Sequence, residues 1–202
     1  MKIGIQIFDR DGHLYFETGA HVLASVPGFT AKIGEIAAIW AVAEGHLGCL
    51  YANLLETTPQ DALDQLGKPG AKRLTENAKQ IAKEKLNGNE LAQLLEWLEK
   101  LDAVRDRRNR VQHDLWSRRE GKEEALYSIH VDDYRRLILE VVEHAKSDDK
   151  AVGADQSISA ANKYAANASN EYTLDSLEHL RAEIEAVSVG LSERFFERVK
   201  RG

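Results

Sequence analysis

Leu91-Ala92-Gln93-Leu94-Leu95-Glu96-Trp97-Leu98-Glu99-Lys100-Leu101-Asp102-Ala103-Val104-Arg105-Asp106-Arg107-Arg108-Asn109-Arg110-Val111-Gln112-His113-Asp114-Leu115-Trp116 is the stretch on which the reading of this chain turns. Leu91, Leu94, Leu95, Leu98 and Leu101 fall at the i, i+3, i+4, i+7 positions of an amphipathic helix. The pattern predicts a helix over 90–116. The same stripe continues through Val104, Arg108, Val111 and Leu115, so Arg108 stands where the helix should bury apolar surface. A lone buried guanidinium costs several kcal/mol, by rough estimate, unless it is paired. A carboxylate, a partner chain or a bound anion must answer that charge.

Two further stripes accompany it. Ile33, Ile36, Trp40, Ala43, Leu47, Leu50 and Leu54 predict a helix over 31–57, with Glu44 at the edge of its apolar face. Gly45 and Gly48 weaken this helix and would let another helix approach closely. Leu177, Leu180, Ile184, Val187 and Leu191 predict a closing helix over 174–200, capped by Thr173.

Shorter elements lie between. Thr58-Pro59-Gln60-Asp61 reads as a helix start running to Leu66, and Gly67 to Gly70 as its break. A more polar helix follows over 71–86, and Asn87-Gly88-Asn89 is a stop followed by a cap. Asp132 can cap a helix over 133–145.

The β signals are small. Ile3, Ile5 and Ile7 alternate with other residues, Asp9 to Gly12 supplies turn chemistry, and His13 to Glu17 can return, which makes 1–27 a β-hairpin decoration. Residues 125–131 read as a short strand after the central helix. Residues 147–171, rich in Ala, Asn, Ser and Asp, read as a flexible insertion or weak helix. No internal repeat is visible. The fold expected is all-α: one domain over 1–202, a helical bundle of long antiparallel helices with a small N-terminal hairpin and a short strand after the central helix.

Of the 202 residues 43% are hydrophobic and 30% charged, and the net charge of −6 argues against a surface that coats nucleic acid indiscriminately. The charge is uneven. Residues 105–119 hold six arginines against two aspartates, a local excess of four that can select a phosphate. Cys49 is the single cysteine, so no intrachain disulfide is possible; it reads as a small core residue. No signal segment opens the chain and no apolar run approaches bilayer length, so a cytoplasmic protein that does not enter a membrane is expected. The histidines show no metal-binding spacing and no glycine-rich nucleotide loop occurs, so neither metal nor cofactor is expected.

In the central stretch Arg105, Asn109, His113 and Trp116 share a helix face through steps of four, four and three. Arg108 lies about 140° around the helix from His113, at about 100° per residue. One helix does not aim both at one small target. Two copies packed antiparallel about a dyad would bring Arg108 and His113 of each chain into one groove.

Arg108-Asn109-Arg110-Val111-Gln112-His113 resembles the R-(N/D/H)-x(3–5)-H signature of the HEPN superfamily, small all-helical proteins of which many are metal-independent ribonucleases. The long helix with Trp40 and Glu44 in its middle, the long motif helix and the closing helix are similar to that family's bundle, and a Trp three residues past the His recurs in bacterial members. The resemblance implies that Arg108 binds the scissile phosphate, that His113 is the general acid/base at the ribose 2′-hydroxyl, and that Asn109 orients the site. Arg105, Arg110 and Trp116 would contact RNA or phosphate beside them. Glu44 would orient Arg105 or Arg108. The resemblance also implies a homodimer, an RNA substrate, and an antitoxin or regulatory partner in a toxin or phage-defence system. The alternative is a non-catalytic helical module that dimerises or binds nucleotide or RNA.

Overall fold

The computed structural model describes residues 4–8, 11–66 and 70–200; Ile3, Asp9 and Arg10 of the predicted hairpin and Gly67, Lys68 and Pro69 of the predicted break lie outside them. In order, the elements are β1 (Gly4–Phe8), β2 (Leu14–Gly19), α1 (Ala20–Ala24), α2 (Pro27–Leu55), α3 (Pro59–Leu66), α4 (Ala71–Lys85) and α5 (Gly88–His113). Then come β3 (Leu115–Arg119), β4 (Leu126–Ile129), α6 (Val131–Ala145), α7 (Lys150–Asn167), β5 (Asn170–Tyr172) and α8 (Leu174–Val199). The chain is mostly helical, at 74%. It divides into two units, residues 1–33 with 109–177 and residues 34–108 with 178–202; the divide falls inside α2, α5 and α8.

The second unit holds most of the three striped helices. Ile36, Trp40, Ala43, Leu47, Leu50 and Leu54 are buried along α2, Leu94, Leu98, Leu101 and Val104 along α5, and Ile184, Val187 and Leu191 along α8. Trp97 against Gly190, Gln93 against Arg194 and Glu90 against Arg198 show that α5 and α8 run antiparallel. His46 against Ser188 and Asn53 against Arg198 show that α2 and α8 run parallel, so α5 is antiparallel to both. Neither Gly45 nor Gly48 has another side chain or backbone within 4 Å of where its Cβ would stand; the close approach is made by Gly190. Thr58 and Asp61 form the expected cap, the Asp61 amide donating to Thr58 Oγ1 at 3.2 Å and the Thr58 hydroxyl to Asp61 Oδ2 at 2.7 Å.

By length and composition α2 is a helix that could cross a membrane, against the expectation that no apolar run approaches that length. Its buried stripe supplies a second reason for the apolar composition, since the core helix of a bundle is apolar for packing.

The first unit corrects the all-α expectation. Among its described residues five strands form one antiparallel sheet in the order β1-β2-β3-β4-β5, so the predicted hairpin is the edge of a larger structure. Glu17 stands opposite Arg118, Trp116 opposite Ser128 and Leu126 opposite Tyr172. The core of this unit joins Phe16, Tyr127 and Ile129 of the sheet to Leu137 of α6 and Tyr164 of α7. The segment 147–171, read as a flexible insertion or weak helix, is α7 and β5. Asp149 caps α7 by accepting from the Ala151 and Val152 amides, and burial of Ala160, Tyr164, Ala165 and Ala168 fixes its inner face. The cap of α6 is His130, not Asp132: its Nδ1 accepts from the Asp132 amide.

Candidate functional site

The central helix does not reach Trp116. It ends at His113, and Asp114 accepts a hydrogen bond from the Ser128 hydroxyl at 3.1 Å before the chain turns into β3. Trp116 is therefore a strand residue. It is buried, with its ring edge-on to Tyr172 at 5.3 Å, and does not share an exposed face with Arg105, Asn109 and His113. That burial leaves no ring face for a base to stack on.

Arg108 lies in the second unit. Its guanidinium is half-buried, 5.4 Å from the centre of the Trp40 ring. Burial pulls its pKa below the ordinary arginine value and the Glu44 carboxylate pushes it back up. Trp40 and Glu44 are one turn apart on α2, so the carboxylate expected to orient an arginine does bear on Arg108.

The neighbouring arginines are already engaged. Arg105 is held by Asp102 and by Asp106, and Asp102 also takes Lys79 at 2.7 Å. Arg107 grips Glu183 through both terminal nitrogens. The local positive excess seen in the sequence is thus partly neutralised from within the chain.

In the first unit, Asn109 is half-buried, and Arg110 is exposed and donates to Asn170 Oδ1 at 3.0 Å. Gln112 donates to the Ile33 carbonyl at 3.0 Å, which fixes this turn of α5 on the start of α2. His113 is exposed on the last turn, where Arg110 and His113 complement the negative end of the helix dipole.

Sequence reasoning missed a second polar cluster. Glu17, almost wholly buried in β2, accepts from Gln6 Nε2 at 3.2 Å, pairs with His21 Nε2 at 3.1 Å and is bound by Arg118. Burial alone would raise its carboxyl; the His21, Gln6 and Arg118 hydrogen bonds and the Arg118 charge outweigh that and hold it below the ordinary carboxylate value. An open cavity of about 420 Å³ lies beside Glu17 and Arg118. Strand alternation placed Glu17 on a face, but only the β2–β3 register supplies Arg118 as its partner.

Among the described residues no group of three or more His, Cys, Asp or Glu side chains gathers as a metal site. Cys49 is exposed, which corrects its reading as a core residue. No family model, curated protein or solved structure matches the chain.

Proposed function

We propose that the chain is a HEPN-like, metal-independent endoribonuclease of a toxin or phage-defence system, acting in the cytoplasm as a homodimer under an antitoxin or regulatory partner. The observation that carries this reading is the end of α5. Arg108 and Asn109 are followed within the same helix by an exposed imidazole, His113, in a mostly helical chain.

In that reading His113 takes the proton from a ribose 2′-hydroxyl. The 2′-oxygen attacks the adjacent phosphorus, and the 5′-oxygen of the next nucleotide leaves and is protonated. The products are a 2′,3′-cyclic phosphate and a 5′-hydroxyl. Arg108 offers its guanidinium to the non-bridging phosphate oxygens, whose charge grows in the transition state, and Asn109 orients the phosphate. Because Arg108 and His113 point about 140° apart on one helix, the groove takes Arg108 from one chain and His113 from its partner. Arg105 and Arg110 flank it.

The test is incubation with a mixed RNA pool in EDTA, beside His113→Ala and Arg108→Ala. Cleavage that survives the chelator, leaves cyclic-phosphate ends and is lost in both variants is the expected result. A wild type as inert as the variants under these conditions overturns it.

One observation favours a second reading, a non-catalytic HEPN-like module that dimerises or binds nucleotide or RNA. Arg108 already lies on Trp40 under the influence of Glu44, as a structural arginine would. Folded Arg108→Ala protein that fails to dimerise, with no cleavage by the wild type, is what this module predicts.

A further inference from the structure

α6 carries a seam of exposed residues that its own fold does not use. Asp132, Arg135, Leu139, Val142 and Lys146 follow one another at steps of three, four, three and four, the spacing of a coiled-coil contact. Leu139 is 69% and Val142 50% exposed, and the Arg135, Asp132 and Lys146 side chains are each more than 60% exposed. The core side of α6 is a different one, made by Leu137 with Tyr134 and Val141. A large leucine in the middle of an exposed seam gains nothing for the fold of the chain that carries it.

The charges along the seam identify what covers it. Asp132 and Lys146 lie seven residues either side of Leu139, and Arg135 and Glu143 lie four either side. Laid antiparallel on a copy of itself about Leu139, the helix therefore sets each acid against a base: Asp132 on Lys146, and Arg135 on Glu143. A parallel copy would set Asp132 on Asp132 and Lys146 on Lys146, which repels. The ion pairs these residues make within the chain are i,i+3 surface contacts, Arg135 with Asp132 at 2.7 Å and Lys146 with Glu143 at 2.9 Å. Exposed pairs of that kind contribute little, so exchanging partners across the seam costs little.

We propose that α6 is a self-association surface, on which a second copy of this chain packs antiparallel with the two-fold axis at Leu139. Leu139 meets Leu139 on the axis, the Val142 side chain packs on the Arg135 stem of the other copy, and the two charge pairs close each end. The residues of this surface are not those of the groove proposed at the end of α5. A chain using both dyads builds assemblies larger than a dimer. A four-turn helix pair buries less than the roughly 800 Å² per partner of a standard interface. The pairing is accordingly weak and is expected at tens to hundreds of micromolar protein, an order-of-magnitude figure.

Sedimentation velocity over about 5 to 300 µM protein tests it with wild type, Leu139→Asp, the single changes Arg135→Glu and Glu143→Arg, and the two combined. The expected result is a concentration-dependent step in wild type that Leu139→Asp removes, that each single charge change weakens, and that the double change restores. A second readout is Leu139→Cys in a Cys49→Ser background. An on-axis cysteine gives a disulfide-linked dimer on mild oxidation, whereas Ile158→Cys, at a position 58% exposed on α7, does not. Wild type and Leu139→Asp sedimenting alike across the range would overturn the proposal. So would Leu139→Cys that cross-links no better than Ile158→Cys.

Discussion

The Arg108 guanidinium lies over the Trp40 ring: its carbon stands 5.4 Å from the ring centre, and Glu44 acts on the same charge from one turn further along α2. A planar, delocalised cation suits a ring face, and the same plane offers two parallel N–H bonds to a phosphate. Arg108→Lys keeps the charge and loses both properties. Urea unfolding should show a loss of about 1 kcal/mol or less. RNA cleavage or phosphate affinity should fall about tenfold or more. Equal activity in the lysine variant would show that only the charge at this position matters.

Glu17 makes stability depend on acid. Its carboxyl titrates below its unfolded value, because His21, Gln6 and Arg118 favour the ionised form more than burial disfavours it. A depressed folded-state pKa contributes stability that is present above the ordinary value of 4.5 and lost as pH falls through the folded value. Glu17→Gln should cost about 2–4 kcal/mol at pH 7, by removing the charge that Arg118 pairs with and replacing one of the two acceptor oxygens with an amide donor. The gap between variant and wild type should narrow below pH 4.5. Denaturant titrations at pH 7 and at pH 3.5 to 4, read by circular dichroism, check both halves of this expectation; a gap that widens on acidification would contradict it.

How far the chain could be read in advance follows from where each contact lies. The stripes through Trp40, Leu98 and Ile184 repeat with the helical period over about four turns or more, and most of the residues they picked are buried, with Ile33, Leu91, Leu95 and Leu115 half-buried at the margins. The end of α5 was not legible. Val111 and Leu115 continue the helical period, no glycine or proline intervenes, and the helix stops because Asp114 finds Ser128 and Leu115 to Ser117 find β4. Pairing also hid the sheet, since the Glu17–Arg118 contact spans 101 residues and β5 is three residues long. The pairing of Arg105 was within reach, since its partner Asp102 is only three positions back. Cys49 was assigned by residue type, when its place between Leu47 and Leu50 already turned it outward.

Tyr164 is 3% exposed, and its hydroxyl lies toward Thr18 without reaching hydrogen-bond geometry. Burial is the main reason its pKa is pushed up to about 12. Burial also raises Tyr15 and Tyr127, so ultraviolet titration of the native protein should show several late-ionising tyrosines, and the latest phase should shrink by one tyrosine in Tyr164→Phe. Removing a buried hydroxyl that makes no good bond should leave stability unchanged or raise it by up to about 1 kcal/mol. A loss of 2 kcal/mol or more, as a rough threshold, would reveal a bond to Thr18.

Gly190 and Gly45 sit in the interiors of α8 and α2, and alanine should affect them in opposite directions. At Gly45 an added Cβ meets nothing within 4 Å, so Gly45→Ala should gain about 0.5–1 kcal/mol by restricting the unfolded chain. At Gly190 the Cβ would stand 2.5 to 2.6 Å from three atoms of the Trp97 ring. The Lys100 ammonium lies 4.3 Å from the centre of that ring. The ring must move, and the helix-propensity gain is smaller than the overpacking cost, so Gly190→Ala should lose about 1–3 kcal/mol. A double-mutant cycle isolates the cause. In a Trp97→Leu background the ring is gone, and Gly190→Ala should then turn from a loss into a gain like that at Gly45. If the loss at Gly190 persisted without the indole, the close approach of α5 and α8 would rest on their backbones and not on this one ring.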